Sequence, residues 1–372
     1  MSKFHLVKVK SIQRQTQDAV AITLDIPSEL KQEFAYVPGQ YITFRVNVNG
    51  EDCNRSYSLC SAPALNEDPT VAVKEVKGGK VSTYFNQKLK EGEELEAMTP
   101  LGNFKAEIEA NDTQHYILFG GGSGITPLFS IVKTALTVSS NAKVSLFYAN
   151  YNSESVIFKE ELEKLKKEFA GRFTLIHVFD KPKKEGGFLG FGKKTSEDLS
   201  FVEGMLTSKM CLSLLKEHTD LNFTLAQFYM CGPGGLMDSV SSALQQLQIP
   251  TERVHREYFT EKSESEKQIA TVGQADENFS GTSQVEIIYD GSSFELEVKG
   301  SETVLDAALD ANVDPPFACM VGACTTCRAK VTEGSVKMND SEALTAKEIE
   351  AGYILTCQSH PTSSTLKINY DE

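Results

Sequence analysis

The sequence predicts a multidomain chain: an antiparallel β-barrel, an α/β doubly wound domain on a parallel sheet, and a small α+β domain. Three observations carry this. Short alternating runs broken by turn residues fill the N-terminal part. Strands and amphipathic helices then alternate. A polar stretch without periodicity separates both from a final segment that carries half of the cysteines. At 372 residues the chain is too long for one ordinary core, and its 40% hydrophobic content excludes global disorder.

In residues 1–110 the runs HLVKVKSI, AVAITLDI, QYITFRVNV, TVAVKEV and ELEAMTP read as strands, punctuated by PSE, PGQ, NGED, KGGK and EGEE. Many short strands with regular turns imply a small antiparallel barrel. In residues 111–260 the strands YILFGGG, KVSLFYAN, RFTLIHVF and AQFYMCG alternate with helices TPLFSIVKTAL, VIFKEELEKLKKEF and GLMDSVSSALQQL. That alternation implies a parallel sheet wound on both faces. The Gly/Lys-rich loop at 183–198 reads as disorder, with Phe188, Leu189 and Phe191 as an alternative apolar docking tip. Residues 261–282 read as a flexible linker. In 283–372 the strands SQVEIIY, FELEV, RAKVTE and TLKINY surround a helix, TVLDAALDA.

The N-terminus has no apolar run of signal-peptide length, and no segment is long and apolar enough to span a bilayer. A soluble, cytoplasmic protein is expected. The net charge is −14, and residues 281–372 hold 15 Asp+Glu against 6 Lys+Arg. This argues against nucleic acid and suits docking to a basic protein face, with plain solubility as the other reading.

Of eight cysteines, Cys53, Cys60, Cys211 and Cys231 are scattered and read as small buried hydrophobes. Cys319, Cys324 and Cys327 are separated by four and two residues, with Cys357 distant. This C-x4-C-x2-C…C spacing is that of plant-type [2Fe–2S] sites. Three thiolates on one tight loop wrap the cluster and a fourth arrives from elsewhere. Structural zinc favours two paired units, which are missing here. Gly322 lets the loop turn, and small neighbours let backbone N–H groups reach the sulfurs.

Two further motif sets point to nucleotides. Arg55, Ser56, Tyr57 and Ser58 end a strand; Gly78, Gly79, Ser82, Thr83 and then a Pro-Leu-Gly-Asn-Phe run follow. Arg55 can fork onto a phosphate, Tyr57 can stack on a flat ring, and 79–83 can offer N–H groups and hydroxyls to a pyrophosphate. The run GGGSGITP at 120–127 joins a strand to a helix, where glycines admit a dinucleotide. Pro127 stands where the dehydrogenase fingerprint has its last glycine, so a reductase-type pocket is expected. Cys231, Gly232 and Pro233 end another parallel strand, at the edge where such sheets bind ligands.

In this order the motifs resemble the ferredoxin-NADP⁺ reductase superfamily, and 283–372 resembles a plant-type ferredoxin of β-grasp fold. Met320 departs from it, standing where many ferredoxins carry a basic residue. The resemblance implies flavin binding by Arg55, Ser56, Tyr57, Ser58, Lys74, Val76, Gly79, Val81, Ser82 and Thr83, with Ser58 near the reactive nitrogen. FAD is favoured, and FMN occurs in relatives of this domain order. The resemblance implies nicotinamide binding by Gly121, Gly122, Gly124, Thr126, Pro127, Cys231, Gly232 and Pro233. Thr126 and Cys231 would flank the transfer position, and Glu257 and Phe259 would close over the flavin. Relatives often place an arginine for the 2′-phosphate of NADPH where Tyr151 and Met205 stand, with Lys181 and Lys183 as substitutes, so NADPH and NADH both remain open.

The assembled order resembles the reductase components of multicomponent oxygenases. It implies electron flow from NAD(P)H through FAD and the [2Fe–2S] cluster to an oxygenase component docked at the acidic ferredoxin part. A di-iron monooxygenase of the phenylacetyl-CoA epoxidase type comes first; a fatty-acid desaturase or a Rieske-type oxygenase is the alternative. Two other readings are a redox-sensing regulatory flavo-iron–sulfur protein and a diaphorase that reduces small acceptors directly.

Overall fold

The computed structural model describes residues 4–182, 201–220, 222–260, 267–276, 279 and 281–372. The loop at 183–198, with Phe188, Leu189, Phe191 and Lys183, lies outside the described residues.

The first part is a six-stranded antiparallel sheet of β1 (Phe4–Thr16), β2 (Ala19–Asp25), β3 (Tyr41–Val48), β4 (Glu51–Ser58), β5 (Thr70–Lys74) and β6 (Glu94–Met98), with helix α1 (Lys80–Gln87) after β5. Its order is β4-β3-β6-β1-β2-β5, and a bridge between Leu59 and Val71 brings its two ends together as a barrel. Alternation places Ile42, Phe44 and Val46 of β3 in a core with Val20, Ile22, Leu24, Val71 and Val73.

The second part is all parallel: β7 (His115–Gly121), β8 (Lys143–Asn150), β9 (Phe173–Phe179), β10 (Phe201–Glu203), β11 (Ala226–Cys231) and β12 (Val254–Glu257). Between them run α2 (Ile125–Val138), α3 (Lys159–Glu168), α4 (Ser208–His218) and α5 (Gly234–Gln246). The order β10-β9-β8-β7-β11-β12 reverses direction between β7 and β11. Ligands bind such sheets in the crevice beyond the strand ends at this switch point, so the topology alone selects the turns after β7 and β11. The helix expected over VIFKEELEKLKKEF starts later than its pattern, at Lys159. Phe158 is left-handed, at φ +60°, and stacks on Phe129 at 4.4 Å, so packing overrides the periodicity. Thr207, whose side chain accepts from Met210 N–H, caps α4, a helix the periodicity reading passed over.

The third part holds β14 (Thr282–Tyr289), β15 (Ser292–Lys299), α6 (Val304–Asp310), β16 (Arg328–Glu333), β17 (Val336–Met338), α7 (Ala346–Glu350), β18 (Tyr353–Leu355), β19 (Ser359–Pro361) and β20 (Thr365–Asn369). Its main sheet, β15-β14-β20-β16-β18, packs on α6. A preceding strand, β13 (Ala270–Val272), lies inside the stretch that composition predicts to be a flexible linker. It pairs antiparallel with β17, so this part of the stretch is tied to the ferredoxin-type fold. No described helix is long and apolar enough to cross a membrane.

Candidate active site and cluster loop

Strand β4 divides its side chains between two faces. Paired with β3 in the register Tyr41↔Ser58, Ile42↔Tyr57, Thr43↔Ser56 and Phe44↔Arg55, it puts Tyr57 with Phe44 and Ser56 with Thr43. Tyr57 packs against Phe44 and Phe85, at 6.3 and 5.5 Å between ring centroids. Arg55 is exposed, with one Nη bound to the Asn54 carbonyl at 2.7 Å.

Helix α1 follows Gly79, its N-cap, which offers no side-chain cap. Ser82 Oγ accepts from Val76 N–H at 3.1 Å, Thr83 Oγ1 donates to Glu75 at 3.2 Å, and Lys74 pairs with Asp18 at 3.6 Å. These side chains are engaged within the protein. What the turn offers a pyrophosphate is the first backbone N–H groups of the helix, those of Lys80, Val81 and Ser82. Val76 is exposed beside them.

At the switch point two glycine turns meet backbone to backbone. A Cβ on Gly124 would stand 2.0 Å from the Cys231 carbonyl oxygen, and one on Gly121 would stand 2.8 Å from Pro233 and Leu236. Helix α2, with Pro127 in its first turn, and helix α5 both start here without side-chain caps. The uncapped N-termini of both helices and the backbone at Gly122 and Gly232 thus lie at one end of the sheet, where an anion would meet free N–H groups. The Thr126 hydroxyl donates to the Ser123 carbonyl at 3.0 Å, which holds the turn rather than aiming the side chain at Cys231.

Barrel strand β4 meets parallel strand β12 at a buried hydrogen bond: Ser58 Oγ donates to Glu257 Oε2 at 2.9 Å. Glu257 pairs in register with Cys231 across β11 and β12, so Ser58, Glu257 and Cys231 converge. Burial raises the Glu257 carboxyl to about 8, against a smaller opposing effect from Ser58. Burial and the nearby Glu257 also push the Cys231 thiol well up, so it is a neutral thiol. Phe259, just beyond β12, is exposed.

On the nicotinamide side, Tyr151 is exposed and Lys181 Nζ stands 5.3 Å from its ring centroid. Met205 is exposed nearby in sequence to β10. Lys181 is thus a cation beside Tyr151, one of the positions expected to bear on the 2′-phosphate.

In the third part, Cys324, Cys327 and Cys357 are buried and Cys319 is half-buried. Cys319 and Cys324 sulfurs are 3.2 Å apart, and Cys357 interacts with both Cys319 and Cys327. The Val321 and Ala323 N–H groups point at Cys319, and Gln358 Nε2 lies 3.7 Å from Cys357 Sγ. Gly322 turns the loop at φ +72°. The paired thiols with N–H donors fit a binuclear iron–sulfur group, in agreement with the spacing.

The loop seats on the barrel. Tyr41, Ala318 and Cys324 form a small buried cluster with Leu101 and Cys319 against it. Thr325 N–H donates to Tyr41 Oη at 2.9 Å, and Thr43 Oγ1 lies 3.1 Å from Thr326 Oγ1. Arg45 pairs with Asp314 at 2.8 Å, and Asn103 Nδ2 donates to Glu348 and to the Ala343 carbonyl. Sequence reading misses Tyr41 and Thr43, and reads Thr325 and Thr326 only as small residues that let N–H groups approach the sulfurs; their barrel partners lie more than 280 positions away, and no local pattern marks the contact.

Residues 5–106 match the family described as "Oxidoreductase FAD-binding domain", 118–242 "Oxidoreductase NAD-binding domain", and 287–362 "2Fe-2S iron-sulfur cluster binding domain". The chain is 32% identical to one of the subunits of the 1,2-phenylacetyl-CoA epoxidase of Escherichia coli K12, covering 100% of this chain and 99% of that protein. It is 34% identical to the ferredoxin reductase component of 3-ketosteroid-9-alpha-monooxygenase of Rhodococcus rhodochrous, covering 99% and 97%. Among solved structures, phthalate dioxygenase reductase superposes with a TM-score of 0.53 at 24% identity over 98% of both chains. The FAD/NAD-binding domain of a Vibrio cholerae nitric oxide dioxygenase superposes at 0.54, with 23% identity, over 70% of this chain and 100% of that one. These two likenesses concern the fold.

Proposed function

Since this chain belongs to the family of oxygenase reductase components that join FAD-binding, NAD-binding and [2Fe–2S] domains, and is an NAD(P)H-dependent electron-transfer oxidoreductase of that design, we propose that its acceptor is the oxygenase of a phenylacetyl-CoA epoxidase-type system. The observation that carries the internal route is the convergence of Ser58, Glu257 and Cys231 on one side of β4 and β12, with the cysteine loop seated on β3 beside them.

When bound, FAD and the cluster together convert two-electron donation by NAD(P)H into one-electron delivery. The chain's own residues do the rest. Tyr57 and the start of α1 hold the flavin, with Arg55 on a phosphate. The turns at 120–124 and 231–233 hold the dinucleotide against it. Ser58 and protonated Glu257 provide a buried hydrogen-bonding edge that excludes water. Cys319, Cys324, Cys327 and Cys357 ligate the cluster.

The nearly full-length likeness to an epoxidase component supports this acceptor. The likeness to a ketosteroid monooxygenase reductase, at 34%, supports a second reading in which the acceptor is a hydroxylating monooxygenase. Reconstitution with each oxygenase under NADPH and NADH separates them: NAD(P)H-dependent product with the epoxidase oxygenase is expected. Turnover with the ketosteroid oxygenase alone would sink the first reading. Failure to pass electrons to any acceptor despite full cofactor loading would favour a sensing role.

The acidic charge of 281–372 supports docking on a basic face of the acceptor. Acceptor KM should then rise with ionic strength, and a salt-independent KM would remove the idea. Outside the cluster loop, Cys53, Cys60, Cys211 and Cys231 are buried thiols, which suits the reducing cytoplasm; cell fractionation would check it.

A further inference from the structure

The cysteine loop has an inward and an outward side. Inward, Cys324 is buried with Tyr41 of the barrel, and Thr325 and Thr326 hydrogen-bond to Tyr41 and Thr43. Outward, Met320 is 42% exposed. Cys319 spans the two. It packs against the buried Tyr41–Cys324 group, yet it is the one cysteine of the four that is not buried.

The outward side is held in shape. Met320 has a left-handed backbone at φ +59°, where residues other than glycine are uncommon. Gln358 Nε2 braces it, 3.5 Å from the Met320 carbonyl and 2.9 Å from that of Cys357. The loop thus presents a large apolar side chain to solvent where glycine would fold with less strain. Residues 315–327 contain no Asp, Glu, Lys or Arg, within a part of the chain that holds 15 Asp+Glu. An uncharged apolar centre with charged surroundings is the anatomy of a protein–protein contact.

The inward side is fastened to both other folds. Asn103 of the barrel holds Glu348 and the Ala343 carbonyl, and Arg45 pairs with Asp314 at 2.8 Å. Arg256 of β12 stands 3.9 Å from Glu342. Undocking at each turnover would break these contacts and expose Tyr41, Ala318 and Cys324, all of them buried.

We propose that the ferredoxin part stays seated on the barrel while it serves its acceptor, which docks on the face centred on Met320. The electron enters on the Cys324 side and leaves on the Cys319 side. One electron is taken up from the flavin side and one is given to the acceptor, so no other reactant is needed. The partner this face fits carries an apolar patch rimmed by basic groups. The inference rests on the reading above, in which an oxygenase component takes the electron.

The test measures binding of the epoxidase-type oxygenase component to the full-length holoprotein by calorimetry, beside its reduction. Met320→Gly suits the left-handed backbone and removes the apolar side chain. Its Kd should rise about tenfold, the factor one buried apolar side chain carries, with the cluster spectrum and NAD(P)H-driven cluster reduction at parental values. An unchanged Kd overturns the docking face. A second variant locks the seat: Arg45→Cys with Asp314→Cys, bridged by a bifunctional thiol reagent as long as the arginine side chain. The bridged protein should bind and reduce the oxygenase as the unbridged one does. Bridged protein that still reduces its cluster but no longer binds the oxygenase overturns the proposal, because the acceptor then needs the inward side. If the parental protein does not bind this oxygenase, the acceptor reading fails by itself. Reduction of cytochrome c by bridged and unbridged protein then decides the relay, and its loss on bridging overturns it.

Discussion

Ser58 of the barrel donates to Glu257 of the parallel sheet across 2.9 Å, and the carboxyl that accepts is buried and neutral at pH 7. The pair joins the two folds beside Cys231 and leaves a protonated acid at the proposed flavin edge. Its folded value near 8, against an ordinary 4.5, means the native state holds one more proton than the unfolded chain between those values. Stability therefore falls as pH rises through that window, by up to about 1.4 kcal/mol per pH unit, and the effect vanishes below it, where both states are protonated. Glu257→Gln removes this slope. Denaturant midpoints from pH 5 to 9 should show the variant gaining on the parent as pH rises; parallel curves would show that Glu257 ionises normally.

Ser58→Ala should slow flavin reduction by NAD(P)H about threefold to tenfold, the worth of a hydrogen bond to a neutral carboxyl. Stopped-flow flavin bleaching checks it. FAD content should stay near parental, because Ser58 stands at the edge of the proposed binding set.

Gly124 sets the contact between the two nucleotide turns. Its missing Cβ would sit 2.0 Å from the Cys231 carbonyl oxygen, a backbone atom that cannot step aside. Gly124→Ala should push the turns after β7 and β11 apart, cost about 1–3 kcal/mol, and raise KM for NAD(P)H while FAD stays bound. Unchanged KM would mean that the dinucleotide does not use this crevice.

What the sequence made legible was local. The strand alternation of β2 and β3, the strand–turn–helix at 120–127 and the spacing of Cys319, Cys324 and Cys327 are all read within a dozen residues. Where long-range packing decides, pattern fails: Phe158 leaves its helix to stack on Phe129, and Ala270–Val272 becomes a strand because β17 offers it an edge. The Ser58–Glu257 meeting was reachable through family likeness alone. The Tyr41–Thr325 and Thr43–Thr326 contacts had no signal, since threonines beside a cysteine read as loop filler until the surface they face is known.

Cys324→Ser separates the two halves of the route. The variant should lose the cluster's visible absorbance and reduce cytochrome about tenfold or more slowly, while NAD(P)H still bleaches the flavin. Parental cytochrome reduction would instead favour a diaphorase that bypasses the ferredoxin part.

The seat of the ferredoxin can be loosened at side chains outside the proposed flavin contacts and cluster ligands. Arg45–Asp314 is an obvious pair, but Asp314 is 62% exposed, so it contributes on the order of 0.2–1 kcal/mol and salt screens it. Asn103 is the stronger hold. It donates from the barrel to both Glu348 and the Ala343 carbonyl, and Glu348 is already fixed by Arg328 at 2.6 Å and by the Thr345 cap. Asn103→Ala therefore breaks two bonds to a preorganised partner, at about 1 kcal/mol each. Flavin reduction should be unaffected, flavin-to-cluster transfer should slow about tenfold, and protease cleavage between the parallel sheet and β13 should speed up. The slowing should exceed that of Asp314→Asn at physiological salt. Equal effects from the two variants would mean that long-range charge, rather than this half-buried amide, seats the cluster loop on Tyr41.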